Sequence, residues 1–224
     1  EGFWLPGTHG NLTKKSLEKA RSDLLNEGIE ISDECFKYLS ETLIKSNKGQ
    51  DKGESKDKPE VHYNRPIDKT NDNVEEYKGK YSNYLREEIA NFDIGVVRGN
   101  GDEALQALGR VSHSWQDFYA HAVYHDQDRG ADDGSPVCWS RNPPVTGSPE
   151  GLNTDLKPSS WDGIFNPGEH GWGEPGSNDK SNGIDGTKLR QDDAVEFVAI
   201  RFSVYLKYWL KYFGDCCPCP PKAK

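Results

Sequence analysis

The run Val111-Ser112-His113-Ser114-Trp115-Gln116-Asp117-Phe118-Tyr119-Ala120-His121 decides how this chain is read. It holds no Gly or Pro, and Leu105, Leu108, Trp115 and Phe118 recur around it at helical spacing. That period predicts a helix starting at Asp102. On it His113, Asp117 and His121 are each four residues apart. A helix turns every 3.6 residues, so the three project from one face, one turn apart. Leu108, Trp115 and Phe118 fall largely off that stripe and are expected to pack inward. Two imidazoles around one carboxylate offer the N and O donors that zinc prefers. The middle carboxylate has two oxygens and could bridge two ions. Gly109, one turn before His113, leaves room for another backbone. The competing reading is a solvated polar face with two ordinary histidines.

Working outward, four other stretches carry a helical period. The first follows Thr13, with Leu17, Ala20 and Leu24 in phase and Gly28 as its stop. The second starts after Ser32, with Phe36, Leu39 and Leu43. The third runs from about Asp72 to Phe92, with Val74, Tyr77, Tyr81, Leu85 and Ile89. The last runs from about Lys188 to Phe213, with Val195, Ala199, Phe202, Leu206 and Trp209. Residues 45–70 read as a charged loop and residues 126–187 as a long Gly/Pro/Asn/Asp segment. No long period-two alternation occurs, so no sizeable sheet is expected. The expected fold is all-α: one helical-bundle domain over residues 1–224, with long irregular loops.

The composition sets limits on partners. Leu, Ile, Val and Phe make only 43 of 224 residues, at the edge of what folds. Six Trp and ten Tyr move the chain back to globular. A chain this polar is expected to draw support from metal ions or disulfides. The formal charge of −9 offers no net field to attract a free polyanion, although bound cations could reverse the sign locally. No run approaches 18 apolar residues, so no transmembrane segment is expected. There is no Met, even at position 1, which fits a processed chain. Five cysteines, Cys35, Cys138, Cys216, Cys217 and Cys219, cannot all pair within the chain. A secreted protein with one or two disulfides is expected.

Further ligand types lie elsewhere. His9 stands in Phe3-Trp4-Leu5-Pro6-Gly7-Thr8-His9, just before the first expected helix. Asp51 follows the second helix, and His62 lies in Val61-His62-Tyr63-Asn64-Arg65-Pro66. Singly, each is an ordinary surface residue type. The run Asp126-Gln127-Asp128-Arg129-Gly130-Ala131-Asp132-Asp133-Gly134 lacks the order and final Glu of a calcium-binding hand and reads as a solvated turn.

Taken together, Leu108-Gly109-Arg110-Val111-Ser112-His113 followed by Asp117 resembles the helical core of the zinc-dependent phospholipase C superfamily. That superfamily includes the single-strand-specific zinc nucleases. Gln116-Asp117-Phe118-Tyr119-Ala120-His121 is most similar to the heterokaryon-incompatibility C-type branch and its bacterial relatives. An early Trp and His, an Asp after the second helix and a His-Tyr-Asn-x-Pro segment come in the same order. The resemblance implies three zinc ions. One would take Asp51, His62, His113 and Asp117. A second would take His9, Asp117 as a bridge, and the backbone of Trp4. The family uses a free amino group on that Trp, whereas Glu1-Gly2-Phe3 precede it here. The third would take His121 with Asp192 and Glu196, where the family has His-x-x-x-Glu. Asp193 competes with Asp192, and His170 could replace the missing His.

The resemblance also implies phosphoester hydrolysis. Clustered zinc ions clamp attacking and leaving oxygens and lower a bound water's pKa towards about 7. Asp51, Asp117 or Glu196 would position or deprotonate that water. The expected function is a secreted phospholipase C that takes a phospholipid headgroup at a membrane surface. It would cleave the glycerol–phosphate bond of phosphatidylcholine-type lipids. A choline headgroup would want aromatic walls, for which Tyr63, Phe118, Tyr119, Trp139, Trp161 and Trp172 are available. One alternative is a nuclease acting on single-stranded nucleic acid. Another is a non-catalytic toxin or interaction protein on the same scaffold.

Overall fold

The computed structural model of the protein describes residues 8–62, 74–121 and 184–214. Among them are five α-helices, a single turn of 3-10 helix and no strand. The helices are α1 (Thr8–Asn26), α2 (Asp33–Gly49), α3 (Val74–Val97), α4 (Gly101–His121) and α5 (Ile184–Phe213), and the 3-10 turn is Ser55–Asp57. The chain is all-α, as its periodicity implies. Four of the helices start at or before their expected residue, whereas α3 starts at Val74, two residues after Asp72, and runs five residues beyond Phe92.

Local chemistry fixes several of these boundaries. Gly28, at φ 83°, ends α1 in the left-handed region, where a side chain would be strained. Ser32 caps α2, its hydroxyl accepting from the Cys35 N–H. Asn100 caps α4: its side-chain oxygen accepts from the Glu103 N–H, and its amide donates to the Glu103 carboxylate.

Helix α4 is the centre of the bundle, packed by α2, α3 and α5, while α1 lies against α5 and α2. Leu105, Leu108, Val111, Trp115 and Phe118 of α4 are fully buried. They meet Leu39 and Leu43 of α2, Leu85 and Phe92 of α3, and Phe202, Leu206 and Trp209 of α5 in one core. Phe118 belongs to that core rather than to a headgroup wall.

Cross-helix contacts fix the directions. Tyr38 bonds Asp102 and Asn47 bonds Ser112, so α2 and α4 run parallel. His9 bonds Gln116, which sets the start of α1 beside the end of α4. Ser16 reaches the Val195 carbonyl and Lys207 reaches Glu27, so α1 and α5 run parallel. The beginning of α1, the end of α2, the second half of α4 and the beginning of α5 therefore share one end of the bundle. The two α4 side chains of the quoted column that are described, His113 and Asp117, lie there.

Candidate metal centre

Burial decides the character of α4 first. His113 and Asp117 are almost completely buried, along with Ser112, Ser114 and Gln116. A solvated polar face is therefore excluded for this half of the helix. Buried charge has to be paired or to hold a cation.

Three more segments bring groups to this column. His9 lies in the first turn of α1, not before it, and is buried. Its Nε2 lies 3.1 Å from Asp117 Oδ1. Asp51 follows α2 by two residues, and its Oδ1 lies 3.6 Å from His113 Nε2. His62, beyond the 3-10 turn, places Nδ1 3.0 Å from Asp117 Oδ2. The same Nδ1 lies 3.0 Å from His113 Nε2, which itself lies 3.0 Å from Asp117 Oδ2. Five of the expected ligands thus converge. They form two groups of mutually close donor atoms that share His113: His9, Asp51 and His113, and His62, His113 and Asp117.

The other expected ligands fare differently. Asp192 and Glu196 are exposed on α5, with the Glu196 side chain 58% accessible and 3.3 Å from Lys19. They stand apart from both groups. Trp4 and the side chain of His121 lie outside the described residues, as do His170, Tyr63, Trp139, Trp161, Trp172 and the side chain of Tyr119.

The donor set could hold a metal cation that takes N and O ligands. His62 Nδ1, His113 Nε2 and Asp117 Oδ2 form a near-equilateral triangle with sides of 3.0 Å. Tetrahedral zinc sets neighbouring donor atoms about 3.3 Å apart. One proton on this triangle can point at only one other corner, whereas a cation would serve all three. No hydrogen bond from the described residues reaches Asp117 Oδ1 or Asp51 Oδ1, although both are buried atoms. Asp117 turns one oxygen towards His9 and the other towards His62 and His113. That is the arrangement a carboxylate bridging two ions would require.

The electrostatics describe a carboxylate wrapped in imidazoles. Burial alone would raise Asp117, but the charges of His113 and His9 outweigh it and hold the carboxyl well below its usual range. Burial alone would lower His9, but Asp117 outweighs it and holds the ring up at about 9. His62 is raised in the same way, against burial, by its hydrogen bond to Asp117. His113 is lowered, first by burial and then by its charged neighbours, despite Asp117 beside it. Asp117 is thus anionic at neutral pH, the state in which it would hold a cation.

A second layer holds the imidazoles. His62 Nε2 lies 3.2 Å from the Ser55 carbonyl and donates there, so in the neutral ring Nδ1 is the nitrogen left without a proton towards Asp117. His9 Nδ1 lies 2.8 Å from Gln116 Oε1, and Asn47, Thr13 and Ser112 join the same network. These four second-layer residues were not singled out in the sequence, although one signal was present. Cys35, Leu39, Leu43 and Asn47 recur every four residues, so Asn47 is a polar residue on the buried stripe of α2.

No family model matches the chain, and neither a curated protein nor a solved structure matches it.

Proposed function

We propose that this chain is a zinc-dependent phosphodiester hydrolase whose substrate is a phospholipid, cleaved between glycerol and phosphate. The observation that carries the reading is the convergence of three imidazoles and two carboxylates, from four separate segments, on one buried point. Among the described residues no hydrogen bond reaches Asp51 Oδ1, and Asp117 Oδ1 faces His9 Nε2 at 3.1 Å. A structural ion pair would need one histidine, not three.

In this reading His62, His113, Asp117 and Asp51 hold one ion, and His9 with the other oxygen of Asp117 holds a second. Bound zinc would polarise the phosphoryl oxygen and lower the pKa of a water towards about 7. Asp51 is the one carboxylate of the cluster with marked access to solvent, its side chain 28% exposed. It is placed to orient an incoming water and to take its proton. The water oxygen adds to phosphorus as the bond to the glycerol oxygen breaks, and that oxygen leaves with a proton. Glu196, turned to solvent and to Lys19, has no part in this reading.

The charge of −9 favours a lipid over single-stranded nucleic acid. A polyanionic strand is repelled along its whole length, while a lipid presents one phosphate to the cation site. The cysteine content favours an extracellular setting. No helix among the described residues is long and apolar enough to cross a membrane, so the substrate would be met at a membrane surface.

The test is metal analysis of protein purified without chelator, with parallel assays on phosphatidylcholine vesicles and single-stranded DNA. Zinc in the protein and release of phosphocholine, lost with chelator and restored by zinc, is the expected result. DNA cleavage with inert lipid would make it a nuclease. Bound zinc with neither activity would make it a binding protein, and absence of metal would end the reading.

A further inference from the structure

We infer that Gln116 is a positioning residue that forces His9 into the Nδ1–H tautomer and so aims its bare Nε2 at the metal centre. The inference rests on the metal reading above.

Two backbone carbonyls, which can only accept hydrogen bonds, fix the direction of the network. The Thr13 hydroxyl lies 2.8 Å from the His9 carbonyl and donates to it. Its oxygen is then left to accept, and Gln116 Nε2, 3.0 Å away, is the donor that meets it. On the other side the Ser112 hydroxyl, 2.7 Å from the Gly109 carbonyl, donates there. Ser112 must therefore accept from Asn47 Nδ2 at 2.9 Å. Both ends orient the same amide. Gln116 Nε2 is committed to Thr13, so Oε1 is the atom that faces His9 Nδ1 at 2.8 Å and Asn47 Nδ2 at 3.3 Å. An amide oxygen cannot donate, so the contact at Nδ1 needs a proton on Nδ1. His9 Nε2 is the atom turned to Asp117 Oδ1, 3.1 Å away, where without a cation the carboxylate would hold a second proton. With zinc on Nε2, Nδ1–H is the one form that suits both neighbours.

This choice is not the default. A free imidazole in water favours the opposite tautomer, Nε2–H, which would aim a proton at the cation site. Thr13, Asn47, Ser112 and Gln116 are all buried, so water is not at hand to rescue a wrong orientation. The relay spans α1, α2 and α4, so it also ties the position of His9 to that of Asp117.

The experiment uses the full chain with 15N-labelled histidine rings, loaded with zinc. Long-range 1H–15N spectra should show His9 Nδ1 protonated and Nε2 bare. The reverse pattern, or an average of the two, would overturn the tautomer. In parallel, zinc affinity is measured for Gln116→Leu and Gln116→Glu by competition with a coloured chelator. The Leu variant should bind about 10–100-fold more weakly, and the Glu variant, which keeps an acceptor facing Nδ1, should stay near the parent. Equal affinity in Leu and parent would overturn the positioning role. If the Leu variant does not fold, a Glu variant with the parent's tautomer but weakened zinc binding would overturn it instead. A parent that binds no zinc would refute the metal centre and the positioning role with it, whereas a parent that binds zinc while Leu matches it would refute the positioning role alone.

Discussion

Gly109 lies against Ser46 so closely that a Cβ on the glycine would sit 2.7 Å from the Ser46 Cβ and 2.8 Å from the Leu43 carbonyl. The contact sets the separation of α2, which carries Asn47 and leads into Asp51, from α4, which carries His113 and Asp117. Backbone cannot swing aside as a flexible side chain can. Gly109→Ala should therefore push the helices apart and cost about 1–3 kcal/mol, measured by urea unfolding. Zinc affinity should fall with it, because Asp51 moves away from His113. An alanine variant with parental stability and affinity would show that the contact is soft.

Asp117 and His62 should separate the two halves of the centre. Asp117 gives one oxygen to the His9 side and the other to the His62 and His113 side. Asp117→Asn should thus empty both sites, whereas His62→Ala should weaken one. Metal content by mass spectrometry, after dialysis against a fixed free zinc level, reads the difference. Equal loss of a single ion in both variants would refute the bridge.

The pH dependence of stability should change sign with metal. In stripped protein the His9 value stands above its ordinary 6.5, at about 9. Its stabilisation is full below pH 6.5 and is lost as the pH rises through about 9. His62 acts in the same sense, while His113, lowered by burial, costs stability as the pH falls below 6.5. The lowered Asp117 contributes stability above its ordinary 3.8, and loses it as the pH drops below that. Stripped protein should therefore melt highest between about pH 4 and 6.5. Zinc replaces protons on the imidazoles, so loaded protein should hold at pH 9 and loosen in acid. At zinc about 100-fold over Kd the added stability is about 2.7 kcal/mol. Melting curves with zinc and with chelator should diverge from pH 6 to 9, and a constant gap would count against imidazole ligation.

The helices were legible because their buried faces repeat every three or four residues. Leu105, Leu108, Trp115 and Phe118 read inward and are buried. The start of α1 was hidden, because Gly10 and Asn11 look like loop residues. Gly10 is in fact turned towards α2, with the Lys48 side chain 3.2 Å from where its Cβ would stand. The placing of His113 and Asp117 on one face followed from spacing alone. The same spacing could not say which way the Asp192 and Glu196 face of α5 points. That is set by packing, and Val198, Phe202, Leu206 and Trp209 take the inward side. Gln116, Thr13 and Ser112 escaped notice because single polar residues carry no period. Their role appears only when three helices bring them within hydrogen-bond reach.

The remaining prediction concerns the far end of the bundle. Cys35 lies in the first turn of α2 and is 4% exposed. One turn on, the Tyr38 ring lies 6.3 Å from that of Trp209, so the start of α2 abuts the end of α5. The other four cysteines lie outside the described residues. Cys216 and Cys217 follow Gly214 by two and three residues, so chain length alone keeps them within about 11 Å of it. A disulfide from Cys35 to Cys216, Cys217 or Cys219 is therefore expected. It would close a long loop and stabilise the chain by about 2–4 kcal/mol. Denaturing the protein in iodoacetamide without reductant, then mapping its peptides by mass spectrometry, tests this. Cys35 should escape alkylation and appear linked to the tail peptide. Complete alkylation of Cys35 would show that the start of α2 and the end of α5 are held together by packing alone.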